Sequence, residues 1–452
     1  MTRTRFLIAG TAAAVTVVVL FFGGVFSSSG EPTFTPVEQP PTVIAGQDTE
    51  AVLRQLLEGF STGDTAAFVR QLEGEVEKNP NDANSLTVLG LAYQQRQRET
   101  GDPAYLTLSE KALRRAVELR LDQPLATTGL ATLAVARHRF ADAVALARQA
   151  LAQTSEDATA LGALGDALLA LGRYGEAFEA FDEMAVLSPS IASFSRVSYG
   201  RELLGRPEAA VEALAFVFEL RLTVPEHEAW TRVQLGNLFF STGRLEKAEQ
   251  AYERALDRLP GYVYAEAGLA RVEAARGEYE SAITRLRDVV DVLPTAQHAI
   301  LLGDVLTAAG RDGEASETYA LVGAIDRLLT ANGVRTELQT ALFDLDHDHD
   351  VAAALERARE AREAAPGINA DDVLAWALYK NGRCNEAREH SVRALRLGTL
   401  DPIMLFHRGM IEACLDNEET AHTFLTRALE INPHFSFIHA AEASEMAQEL
   451  AA

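Results

Sequence analysis

Cysteine is almost absent from this chain: there are two in 452 residues, Cys384 and Cys414, too few for a disulfide framework or a four-cysteine zinc site. Lysine and arginine form no cluster in the part after the N-terminal apolar run, and the formal net charge is -24. Nucleic-acid binding needs a cationic footprint to neutralise phosphates, and anionic lipid headgroups would repel such a chain. Neither partner is expected. Phosphate-binding glycine loops, nucleophile elbows and dinucleotide fingerprints are missing too, so an enzyme would have to gather its site from scattered residues. A hydrolase with a cryptic site would need a deep polar pocket with perturbed carboxylates or histidines. No catalytic residue and no cofactor is expected.

Strand-like alternation is scarce, whereas Ala, Leu, Arg and Glu are abundant and hydrophobic residues make up 48% of the chain. That balance predicts an all-α protein. Residues 6–26, FLIAGTAAAVTVVVLFFGGVF, form an uncharged run of the length that crosses a bilayer as a helix. Arg3 and Arg5 precede it, so the expected orientation leaves the N-terminus in the cytoplasm and the rest outside. The run is long for a signal peptide and no A-x-A site follows, which favours an uncleaved signal anchor (residues 1–26) over a cleaved signal and a secreted chain. Residues 27–48 are rich in Ser and Pro and read as an extended linker.

From residue 49 onward the chain repeats itself. The clearest unit is residues 229–260, AWTRVQLGNLFFSTGRLEKAEQAYERALDRLP. It reads as two amphipathic helices, the first ended by Gly243 and the second by Pro260. Leu235, Gly236 and Phe239 mark the packing face of the first helix, and Ala248, Tyr252 and Ala255 that of the second. Small residues are expected where two helix backbones approach. A shift of 34 residues refills the slots with Leu269, Gly277, Ala282 and Pro294. The period and the order of small, aromatic and Pro positions resemble the tetratricopeptide repeat, with Arg232 where that pattern has Trp. The resemblance implies a right-handed α-solenoid of about ten stacked helix-turn-helix units over residues 49–452, with the first helices lining a concave groove. The first unit is degenerate, and residues 435–452 are expected to form a capping helix. GAIDRLLTANGVRTELQTALFDLDHD, ADDVLAWALYKNGRCNEA and HRGMIEACLDNEETA are further similar to a recurrent exported bacterial type of this family, which brings no assigned activity.

Three places depart from the regular unit. Residues 95–105, QRQRETGDPAY, are an insertion expected to protrude between paired helices. No Pro closes the unit around Tyr319, so its second helix is expected to run on through Ile325 and Leu329. Asp346, His347, Asp348, His349 and Asp350 alternate carboxylate and imidazole between two helices. Such a run offers donors to a divalent transition metal, but Asp350 is also an ordinary N-cap and no further Cys or His follows at zinc spacing. The turn-and-cap reading is preferred, with no metal, and an accessory metal-handling role is the alternative function.

The principal expectation is a membrane-anchored, extracytoplasmic scaffold that binds a protein or peptide in its groove. Trp230, Val233, Asn237 and Phe240 form a stripe away from the packing face of the first helix at 229–260. The resemblance puts that stripe on the concave surface, together with Tyr264, Arg271, Asp372, Trp376, Tyr379, Phe406 and Met410. Aromatic and Met side chains beside a few polar groups suit peptide recognition. A carboxylate clamp of the kind that holds acidic chaperone tails is not expected, since Val233 and Gly268 occupy two of its slots. His298, His407 and His434 read as packed or solvated. Cys384 and Cys414 fall at one edge of the stack, because adjacent helices run antiparallel; a disulfide there and two unrelated small core residues are both open.

Overall fold

The computed structural model describes residues 64–220 and 225–451; the apolar run, the Pro/Ser linker and most of the degenerate first unit lie outside the described residues. Among the described residues there are 22 α-helices, one short 3-10 helix and no strand. Thr65–Lys78 stands first and Ala440–Leu450 last, and ten antiparallel pairs lie between them. No helix among the described residues is long and apolar enough to cross a membrane. The chain divides into two compact units. One takes in the described residues up to Leu169, Tyr174–Val197 and Ala331–Val334; the other takes in Ala170–Arg173, Ser198–Thr330 and the described residues from Arg335 on.

The pairing follows from turn chemistry. In the pair Pro225–Ser241 and Leu245–Arg258, Gly243 adopts φ +70°, a conformation that a Cβ disfavours. Its amide donates to Phe240 O at 2.9 Å, and the next amide, of Arg244, donates to Phe239 O at 2.8 Å. Two last-turn carbonyls are thereby satisfied and the chain reverses. Gly277, Gly310 and Gly382 repeat the device at their own turns.

Packing between units turns on what sits against the first-helix glycine. A Cβ on Gly236 would run into the Tyr252 ring, and so would one on Gly268, in the first helix of the next pair. The two glycines therefore make room for a ring, rather than for a second helix backbone as the sequence suggested. Tyr252 is fully buried, and its hydroxyl donates to Asn237 Oδ1 at 2.9 Å. Leu113 fills the same place against Gly90 and Gly129, Phe181 against Gly165, Tyr319 against Gly303 and Leu425 against Gly409.

Two of the irregular stretches resolve into helix. The insertion does not protrude: Ala83–Thr100 runs about a turn longer than its neighbours, and Gly101 caps it at φ +72°. Gln94, Gln95 and Gln97 are buried on it, and Gln94 Nε2 donates to Gly129 O at 2.8 Å. Lengthening a helix keeps its backbone hydrogen-bonded, which an exposed loop of the same residues would not do. Asp312–Ala331 does run on, for 20 residues, with Leu321 and Leu328 left exposed along it.

Within the second unit the superhelix comes back on itself. Gly205 (φ +66°) packs on the Gly398 carbonyl, and Gly243 packs on the Ile431 carbonyl. Asn432, which is 1% exposed, donates its side-chain amide to Phe240 O at 2.9 Å across 192 residues of sequence.

Candidate functional site

Two open cavities lie in the second unit, each lined by residues far apart in sequence. One, of about 570 Å³, lies beside the closing contact and is lined by Glu202, Phe240, Arg244, Arg271, Asp401, Met404, Arg427 and Phe435 among others. Arg271 stacks its guanidinium over the Phe240 ring at 4.1 Å, an attraction of charge to the ring face. Asp401 caps Pro402–Cys414, accepting from the amides of Ile403 at 2.8 Å and Met404 at 3.3 Å. Glu202 reaches the cavity but is ringed by protein. That enclosure, with the Asp401 charge facing it, pushes its carboxyl up to about 7, and a hydrogen bond from Ser241 works the other way.

The second cavity, of about 630 Å³, is lined by Thr307, Asp312, Tyr319, Phe343, Asp346, His347, Asp348, His349 and Ile438 among others. It brings the Asp/His run to the groove, with each side chain already engaged. Asp346 Oδ1 accepts from Trp376 Nε1 at 3.0 Å and faces His439 Nε2 at 3.3 Å. His347 lies with Nδ1 2.8 Å from Phe343 O and Nε2 2.9 Å from Asp304 Oδ1. Burial opposes protonation of His347, but these two acceptors outweigh it and raise its pKa. Both ring nitrogens thus face oxygen acceptors within the protein, and a metal would have to displace one of these contacts. Asp348 pairs with Lys380 at 2.5 Å, and His349 stands 3.9 Å from Asp344. Asp350 caps Val351–Ala364, accepting from Ala353 N at 3.2 Å. Among the described residues no group of three His, Cys, Asp or Glu side chains is gathered as a metal would need.

Val233 of the expected stripe is buried, at 3% exposure, and the other ten groove residues separate into two sets. Asn237, Tyr264, Arg271 and Tyr379 stay partly exposed. Trp230, Phe240, Asp372, Trp376, Phe406 and Met410 are buried, none more than 5% exposed, contrary to the expectation of exposed aromatics. A first helix is flanked by its own second helix and by the first helices of the units before and after it, so little of its circumference is left open. Trp376 illustrates the result: its ring stacks with His407 (4.3 Å, 15°) and Tyr379 (4.9 Å, 12°). His407 in turn has Nδ1 3.0 Å from Asp372 Oδ2.

Of the other histidines singled out, His298 is buried with Nδ1 2.9 Å from Leu293 O, and burial lowers its pKa; His434 is half-buried. Cys384 and Cys414 are joined in a disulfide, with Cα atoms 6.2 Å apart. It ties the start of Cys384–Ala394 to the end of Pro402–Cys414.

Sequence reasoning missed the segment 432–439. It was included in the capping helix from Phe435, but the helix begins at Ala440, and the preceding residues form turns that enter the groove. The available signal was Phe435 and Phe437 two residues apart, a spacing that no helix face uses.

Family models of the tetratricopeptide repeat match residues 128–190, 199–261 and 239–300. Cellulose synthase 1 operon protein C of Komagataeibacter xylinus is 28% identical over 250 residues, 53% of this chain and 18% of that protein, so the chain spans under a fifth of that relative's length. Among solved structures, a tetratricopeptide repeat protein from Parabacteroides merdae is 16% identical, covering 57% of this chain and 98% of its own, with a TM-score of 0.42. The Pseudomonas aeruginosa pilF structure is 20% identical, covering 48% of this chain and 94% of its own, with a TM-score of 0.35. Helix pairs that recur at intervals near 34 residues, the recurrent glycine-against-ring packing and the three family matches agree: this chain carries tetratricopeptide repeats, matched by family over residues 128–190 and 199–300.

Proposed function

We propose that this chain is a non-enzymatic interaction scaffold that binds a protein or peptide segment in the groove of its second unit. In this reading it works outside the cytoplasm, anchored by residues 6–26. The observation that carries the binding role is the pair of cavities in the second unit, in one of which half-exposed Arg271 lies over the buried Phe240 ring. An apolar floor with a few oriented polar groups is what peptide recognition uses. The Cys384–Cys414 disulfide supports the compartment, since such bonds persist in oxidising surroundings. The printed name of the Komagataeibacter relative associates that protein with a cellulose synthase operon; the likeness supports shared repeats, and the cellulose association stays with the relative.

The test is crosslinking in the native envelope followed by mass spectrometry. Partner peptides should crosslink near Tyr264, Arg271 and Tyr379. Replacing these three with Ser should leave helicity unchanged and reduce partner recovery severalfold. Unchanged recovery refutes the groove. The residues to avoid are Trp376, Phe406 and Met410, because their burial makes any loss of partner a report of unfolding. A metal-handling role through residues 346–350 gains no support from that geometry, and titration of the full chain with Zn²⁺ should register no heat of binding.

A further inference from the structure

We propose that the segment 435–439 is an intramolecular ligand of the groove, and that the partner this groove fits is a short peptide of the same chemistry. That chemistry is two aromatic residues two apart, followed by an aliphatic residue and a histidine. The inference rests on the groove reading above and names the kind of partner.

Successive side chains of this segment reach different parts of the superhelix. Phe435 packs on Phe406, with ring centres 5.6 Å apart, and borders the cavity that Phe240 also lines. Phe437 packs against the cluster built from Ala270, Leu286 and Leu302. Ile438 enters the other cavity, which is lined by Tyr319 and Phe343. His439 stacks on Phe406 at 5.2 Å, meets the Trp376 ring edge-on at 5.9 Å and faces Asp346 at 3.3 Å. Four residues thus touch helices that are far apart in sequence, as a bound peptide would.

Asn432, just before the segment, belongs to the closing contact, and His439 at its end is buried; the side chains between them are held less completely. Phe435, Phe437 and Ile438 are only half-buried, and Phe435 and Ile438 each border a cavity. Its amides are satisfied locally: His434 N donates to Asn432 Oδ1 at 2.9 Å, and His439 N to Ser436 Oγ at 3.1 Å. The stack is capped separately by Ala440–Leu450, which buries Ala443 and Ala447 against the core. Displacement of the Phe435, Phe437 and Ile438 side chains leaves those alanine contacts in place. A partner peptide must compete with a tethered occupant, whose effective concentration is on the order of millimolar.

The experiment uses a fluorescent synthetic peptide of residues 432–440, a scrambled control and the full chain, read by anisotropy. Phe435→Ala/Phe437→Ala removes the aromatic contacts of the tethered copy, and His439→Ala alone removes its contact with Asp346. The double variant should bind the peptide at least tenfold more tightly than the wild type, the single variant by a smaller factor, and neither should bind the scrambled peptide. Folded variants that bind no better than wild type overturn the proposal. Loss of folding in both variants overturns it as well, because the segment would then be core. Envelope crosslinks at Tyr264, Arg271 and Tyr379 without peptide binding would leave the scaffold standing and remove this inference; peptide binding without those crosslinks would do the reverse.

Discussion

Tyr252 is the residue on which the regular unit depends. Its ring occupies the space left by Gly236 and Gly268, and its hydroxyl is held by Asn237. Tyr252→Ala should cost about 3–5 kcal/mol in chemical denaturation, through lost burial and an unfilled cavity. Gly236→Val should cost about 1–3 kcal/mol, because the ring must move. Glu202 makes a prediction of opposite sign. Its folded-state pKa, about 7, lies above the ordinary carboxyl value, so folding binds a proton. The resulting stabilisation is fully present below the unfolded pKa and is lost as pH rises through about 7. Glu202→Gln should therefore raise stability at pH 8 by on the order of 1 kcal/mol, a figure kept small because the group still reaches cavity water. At pH 4 the substitution should be nearly neutral, and melting temperatures at the two pH values check the difference.

At the scale of the element, first and second helices have different tasks. Ile368–Lys380 is buried almost all round, whereas Leu245–Arg258 buries Ala248, Ala251, Tyr252 and Ala255 along one side and exposes the rest. Amphipathic periodicity is consequently clear in the second helices and blurred in the first. This is why a stripe containing Trp230 and Phe240 looked like groove when it is interior. Pairs of helices in this region also gain a covalent tie. The Cys384–Cys414 bond closes a separation of 30 residues, a loop whose entropy corresponds to roughly 3 kcal/mol. Reduction should lower the stability of the last two pairs by about that amount, or somewhat less if the reduced chain keeps residual structure. Hydrogen exchange with and without reductant should localise the loss to residues 368–431.

Across the whole second unit, the closing contact makes the repeat array less one-dimensional than a plain solenoid, where each repeat feels only its neighbours. Asn432 joins the end of one helix pair to the turn inside another, 192 residues away. Asn432→Ala leaves the Phe240 carbonyl without that donor and should cost about 1–3 kcal/mol. Amide exchange should accelerate at both ends of the contact, near Phe240 and near Ile431, whereas an open array would respond only near Ile431.

How much of this was legible beforehand depends on the range of the interaction. Helix pairs, their glycine and proline stops, the extended helix after Tyr319 and the cap at Asp350 are set by neighbours a few residues away, and their residue types announce them. The sequence by itself determined the all-helical repeat, its 34-residue spacing and the want of a catalytic motif. Only the tertiary structure decided which helix faces are interior, since a face is buried by units 30 or more residues distant. It also decided that Phe435–His439 enter the groove and that Asp346 is bound to Trp376 and His439. Those contacts join residues 30, 93 and 192 positions apart, brought together by the superhelical return, which no local pattern encodes.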